Sequence, residues 1–212
     1  METFVVRVWL PDRPGVLGQV ASRIGSVHGD VVGIEILERG GGSAIDDLTV
    51  SLPDASLVDL LVDEIRQVDG VAVEHVRPVP SDRPDGGMAA LATAAAVVAA
   101  PAGERLRVAC RELRTLLDAD WSVAMCLDGP VAVACDGAAP ELEWLAAFLA
   151  GSSHLAGQAA SVEVHHTPGD LVWARVPAHG VALACGRAGR VFHAREREEF
   201  RVLGGIVDSL PG

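Results

Sequence analysis

The chain has 212 residues, half of them apolar and 22% charged, with a formal net charge of -12. That composition builds packed cores and excludes a disordered chain, and the length allows one large domain or two smaller ones. All 17 basic residues are arginines and the acid excess is spread along the chain. No basic face is therefore dense enough to replace phosphate counterions, and nucleic-acid binding is not expected.

Phe4, Val6, Val8 and Leu10 alternate with Thr3, Arg7 and Trp9, which predicts a strand with one face inward. Pro11-Asp12-Arg13-Pro14-Gly15 breaks it. Val16, Leu17, Val20, Ile24 and Val27 then recur at the spacing of a helix with one buried stripe. His28-Gly29 ends that helix, with Gly29 suited to a left-handed terminal position. A second strand runs through Val32, Ile34 and Ile36. Arg39-Gly40-Gly41-Gly42-Ser43 is a hairpin connection into a third strand, with Leu48, Val50 and Leu52 on one face. Pro53-Asp54-Ala55-Ser56 opens a second helix, striped by Leu57, Leu60, Leu61 and Ile65. Asp69-Gly70 turns into a last strand over 71–79. The order is a split βαβ unit repeated once, so four antiparallel strands should carry two helices on one face.

Residues 78–87 hold three prolines and two glycines, a linker composition. The domains expected are 1–79 and 88–212, joined by a linker over 80–87. An Ala-rich helix starts near Met88 and is interrupted at Pro101. A second helix over 104–117 points Leu106, Cys110, Leu113 and Leu117 inward. Strands are predicted over 121–127 and 131–135, then a helix over 140–149 burying Leu142, Leu145 and Phe148 or Leu149. Further strands are expected over 161–166, 171–176 and 180–185. A helix from about Arg195, with Phe200, Leu203, Ile206 or Val207, and Leu210 inward, closes the chain. This half is mixed too, with helices at both ends around an antiparallel sheet, and the fold class is α+β. The longest apolar stretch, 88–100, is shorter than the ~20 residues of a spanning helix. The first residues lack a secretory leader. A cytosolic protein without membrane contact is expected.

Cys110, Cys126, Cys135 and Cys185 form no C-x-x-C pair, and their small apolar neighbours predict buried core thiols in a reducing compartment. A two-residue turn at Asp128-Gly129 would pair Leu127 with Pro130 and set Cys135 opposite Ser122. Cys126 then lies ~13 Å away along the ladder, too far to bridge.

The most informative segment is Leu10-Pro11-Asp12-Arg13-Pro14-Gly15-Val16-Leu17. Two prolines fix backbone angles, and a glycine precedes the free N–H groups of a helix start, an end that favours an anion such as a carboxylate. By itself this is also what an ordinary strand-to-helix turn looks like. A strand, then Asp-x-Pro-Gly-Val-Leu, a helix, and His28-Gly29-Asp30-Val31-Val32 together closely resemble the ACT domain family, over residues 4–79. The resemblance implies a ferredoxin-like βαββαβ fold, a regulatory role, side-by-side pairing and amino-acid binding at the paired interface. It implicates Asp12, Arg13, Pro14, Gly15, Val16 and Leu17 in the turn, and Asp30 and Val31 at the start of the second strand. Many family members carry Asn where Asp30 stands. A carboxylate there can accept from an α-amino group but cannot donate to a ligand carboxylate.

The second half, 88–210, more loosely resembles a GAF-type sensory domain, an α/β sandwich with an antiparallel sheet. Its supporting residues are the leading helix, the hairpin after Ala119-Asp120-Trp121, Val176-Pro177, 179–184, and Phe192 before the last helix. The resemblance implies a small-molecule pocket or a dimer interface. The all-arginine basic set, with abundant Ala, Gly and Val, points to a GC-rich bacterial genome.

Other motifs carry less. His165-His166 adjoin on an expected strand and point to opposite faces, and His154, His179 and His193 lack partners at ligand spacing, so no metal is expected. No G-x-S-x-G occurs. Residues 186–190 (Gly-Arg-Ala-Gly-Arg) are neither P-loop nor dinucleotide fingerprint, so no cofactor is expected. The run 195–199 (Arg-Glu-Arg-Glu-Glu) reads as a solvated helix start. The chain is expected to be a regulatory homodimer that binds a small molecule, an amino acid, and acts in trans on a protein partner. A ligand-free dimerisation scaffold is the alternative, and an enzyme with an unrecognised site the third reading.

Overall fold

A computed structural model describes residues 1–158 and 169–211. It divides into two compact units, Met1–Asp85 and Gly86–Gly212. The expected strand over 161–166 and the pair His165-His166 lie outside the described residues.

The first unit follows the chain order β1 (Glu2–Pro11), α1 (Val16–Ser26), β2 (Asp30–Gly40), β3 (Ser43–Leu52), α2 (Val58–Arg66) and β4 (Ala72–Val79). The strands form one antiparallel sheet in the order β2-β3-β1-β4, so β2 and β4 are its edges. Residues of alternate parity, Phe4, Val6, Val8 and Leu10 with Ala44, Leu48, Val50 and Leu52, form the core with Val16, Val20 and Ile24 of α1 and Leu61 and Ile65 of α2. Gly41 and Gly42 both take positive φ (60° and 82°), the geometry a tight two-residue hairpin needs.

Several expectations for this unit are corrected. β1 is buried on both faces: Thr3, Val5 and Arg7 are as enclosed as the core residues. Arg7 can be buried because it stands opposite Asp47 across the β1–β3 ladder and donates two hydrogen bonds to it, at 2.7 and 2.9 Å. On α2, Leu60 is exposed and Val58 packs inward instead. Within α2, Val58, Leu61 and Ile65 recur at i, i+3 and i+7 on one face, and Leu60 lies to the side of that stripe. At the end of α1 the left-handed residue is His28 (φ 60°), not Gly29.

The second unit runs α3 (Gly86–Ala99), α4 (Arg105–Leu116), β5 (Trp121–Cys126), β6 (Val131–Gly137), α5 (Leu142–Gln158), β7 (Leu171–Val176), β8 (Val181–Gly186) and α6 (Ala194–Ser209). Helix α3 begins inside the stretch expected to be linker. The described strands form an antiparallel sheet, β6-β5-β8-β7. One cluster joins Val97 of α3, Cys110 and Leu113 of α4 and Phe200, Leu203 and Val207 of α6 to the sheet. A second joins Leu145 and Leu149 of α5 to Val123, Met125, Ala182 and Ala184. These alternate along their strands with the residues of the first cluster, so α5 lies across the sheet from the other helices. It also runs nine residues beyond its expected end.

The hairpin register differs from the expected one. A bulge between Ala124 and Met125 sets Cys135 opposite Val123, because the extra residue on β6 shifts the pairing by one. All four cysteines are free, yet only Cys110 and Cys185 are buried, while Cys126 is half-buried and Cys135 exposed. Burial pushes the Cys110 and Cys185 thiols up to about 12. The run 195–199 is not simply solvated. Glu196 is buried and accepts hydrogen bonds from Arg187 (2.9 Å) and from the His193 backbone N–H (2.8 Å), closing the start of α6. No helix among the described residues is long and apolar enough to cross a membrane.

Candidate functional site

The β1–α1 turn exists because Pro11 and Pro14 cannot extend the ladder and Gly15 takes φ 93°, a left-handed conformation that favours glycine. That geometry starts α1 abruptly. No side chain caps it, and its first intrahelical bond is Gln19 N–H to Gly15 C=O, 3.1 Å. The N–H groups of Val16, Leu17 and Gly18 therefore have no carbonyl within the helix. The turn is held against the β2–β3 hairpin by Asp12 N–H to Gly42 C=O, 2.9 Å.

Turn and hairpin enclose a cavity of about 310 Å³ lined by Asp12, Arg13, Pro14, Gly15, Leu17, Arg39, Ala44 and Asp46, with Leu10 and Pro11. Asp46 is the buried polar group of this wall. It stands in register with Val8 on one side and Ile36 on the other, so it occupies a core position of the helix-facing surface, 2% exposed. Its Oδ1 has no hydrogen-bond partner, and among the described residues no basic side chain forms an ion pair with it. Burial raises its pKa above the usual aspartate range. The nearby Arg39 opposes that rise, and Asp12 and Asp47 add to it.

Of the residues singled out in the sequence, Asp12, Arg13, Pro14, Gly15 and Leu17 line this cavity. Val16 turns into the core instead. Asp30 and Val31 do not reach it within one chain. Asp30 pairs with Ser51, whereas the hairpin end of β2, Gly40, pairs with Ser43, so about 27 Å of strand separates them. Arg39 and Asp46 were not anticipated. The signal for Asp46 is present in the sequence: an aspartate interrupts the period-2 series Ala44, Leu48, Val50, Leu52.

The second unit has a larger hollow, about 390 Å³, lined by Asp120, Trp121, Trp144, Asp170, Leu171 and Arg187 among others. Two of its charged groups, Asp120 and Arg187, are committed internally. Asp120 accepts from the Ala188 N–H at 2.7 Å. Arg187 donates to the Leu117 and Val191 carbonyls and to Glu196 and lies over the Phe192 ring at 4.0 Å. Elsewhere His179 contacts the Val207 carbonyl. Among the described residues no group of three His, Cys, Asp or Glu could hold a metal ion.

Comparison with known proteins identifies the first unit. Residues 4–70 match the ACT domain family, about a third of the chain. A stretch of 57 residues, 27% of this chain, is 32% identical to an NAD-dependent malic enzyme of Geobacillus stearothermophilus. The chain spans only 12% of that relative's length. The ACT domain of a GTP pyrophosphokinase from Chlorobium tepidum is similar over 37% of this chain and 100% of its own, at 19% identity and TM-score 0.30. An unknown protein from Galdieria sulphuraria is similar over 98% of this chain and 91% of its own, at 14% identity and TM-score 0.34. Residues 4–70 are an ACT domain, a regulatory and ligand-binding kind of domain.

Proposed function

We propose that this chain is a regulatory metabolite sensor that binds an amino acid beside the β1–α1 turn, as a homodimer, and passes its response to a protein partner in trans. The observation that carries this reading is the cavity itself. One wall offers the uncapped N–H groups of α1, suited to a carboxylate, and another a buried carboxylate suited to an ammonium group. The edge strand β2 supports the dimer. Val32, Ile34 and Ile36 on it are 57, 47 and 40% exposed, an apolar, unpaired edge of the kind that pairs with another chain. Antiparallel pairing of two β2 strands about a two-fold axis would set Asp30 of the partner subunit beside Arg39. The same apolar edge favours the second reading, a scaffold that dimerises without a ligand. The unit from Gly86 onward serves as the GAF-like sensory or dimerisation part, a role its helices on both faces of an antiparallel sheet support.

Thermal melting of the purified dimer against the twenty amino acids tests the reading, with Gly15→Trp as control. A Cβ at Gly15 meets nothing within 4 Å, so a tryptophan there can occupy the open side of the turn. A ligand at 100 times its dissociation constant should stabilise by about 2.7 kcal/mol, a shift of several degrees, absent in the control. A flat screen on a confirmed dimer favours the scaffold.

A further inference from the structure

We infer that Asp46 receives the ligand's ammonium group, so each subunit holds both charged contacts of its amino acid without Asp30 of the partner subunit. This rests on the amino-acid reading above and adds an acceptor that the turn motif does not contain.

Three observations converge on Asp46. It lines the cavity at the β1–α1 turn, it is 2% exposed, and its Oδ1 lacks any hydrogen-bond partner. A buried carboxylate is normally paired, because leaving water without a partner is unfavourable. The nearest charged groups do not supply one: Arg39 lines the same cavity without ion pairing to Asp46, and Asp12 carries the same charge. What the site lacks is a small donor with positive charge. An α-ammonium group has three N–H donors and fits that need. The other pole of the amino acid then meets the start of α1 at Gly15 and Leu17, where the backbone N–H groups lack intrahelical partners. The donors for the carboxylate and the acceptor for the ammonium group thus come from two elements of one subunit, joined by the Asp12–Gly42 hydrogen bond. Asp30, at the far end of β2, is exposed and not needed to balance either charge. The raised pKa of Asp46 follows from the same burial, and a bound cation would bring it down.

The test is titration calorimetry of the wild-type dimer, Asp46→Asn and Asp30→Asn against the twenty amino acids. The 2-hydroxy acid matching whichever amino acid binds is then titrated as well; it keeps shape and carboxylate but has no ammonium. The inference expects Asp30→Asn to bind like wild type and Asp46→Asn to bind roughly 10- to 100-fold more weakly, the range for a hydrogen bond to a charged group. The 2-hydroxy acid should bind wild type as weakly as the amino acid binds Asp46→Asn. Full affinity in Asp46→Asn, or loss confined to Asp30→Asn, overturns this assignment and leaves the amino-acid reading standing. Equal binding of the hydroxy acid overturns it without any variant, so the result does not depend on Asp46→Asn folding. No binding of any amino acid to wild type overturns the reading and the assignment together.

Discussion

Asp46 and Glu196 are both buried acids beside the start of a helix, and their surroundings could hardly differ more. Glu196 accepts from Arg187 and from the backbone of His193, so the entry to α6 is complete in itself. Asp46 faces an entry to α1 that no side chain caps, and one of its oxygens is unpaired. A closed entry is part of the scaffold, and an open one beside an unpaired charge suits the proposed ligand site. The contrast separates the two cavities as well, since Asp120 and Arg187 in the larger one are already spent on the fold.

The largest test of this contrast is Glu196→Ala. Removing one partner of a buried pair strands the other, so Arg187 is left buried and the second unit should lose about 3–5 kcal/mol, read by denaturant unfolding. A loss under about 1 kcal/mol would mean that the carbonyl partners of Arg187 suffice, and the contrast with Asp46 would weaken.

The two ends of α1 give a smaller effect. A Cβ on Gly29 would lie 2.9 Å from Ile24 Cγ2 and 3.0 Å from Leu52 Cδ2, so Gly29→Ala should destabilise by about 1–3 kcal/mol through overpacking. Gly15→Ala meets no atom and should lose only the left-handed preference, about 1–2 kcal/mol. Melting of both variants without ligand compares a closed end with an open one.

The smallest effect has the opposite sign. The folded chain holds the Asp46 proton more tightly than the unfolded chain does. Above the usual aspartate range the unfolded state therefore binds fewer protons, and stability falls as pH rises through the window up to the raised value. Asp46→Asn does not titrate. It should equal or exceed wild type at neutral pH without ligand, by about 1 kcal/mol or less, with the advantage vanishing in acid. A marked loss at neutral pH would show that Asp46 is a structural group like Glu196.

The sequence alone determined most of the first unit. Its alternation of period-2 and helical patterns yields βαββαβ, because each element buries one face and the pattern records which. The same logic located the β1–α1 turn, since Pro11, Pro14 and Gly15 leave the backbone few choices. It misplaced what depends on neighbours rather than on period. Leu60 turned outward because the inward stripe of α2 runs through Val58, Leu61 and Ile65, which leaves Leu60 at its side. Cys135 moved by one position because a bulge shifted the ladder. Arg7 and Glu196 look solvent-facing until Asp47 and Arg187, 40 and nine residues away, arrive to pair with them. The tertiary structure alone decided the site. It joined the turn to Arg39 and Asp46 across the hairpin, and it left Asp30 at the opposite end of β2. A charge at a core position is visible in one strand, but whether it is paired is settled by the strands and helices packed around it.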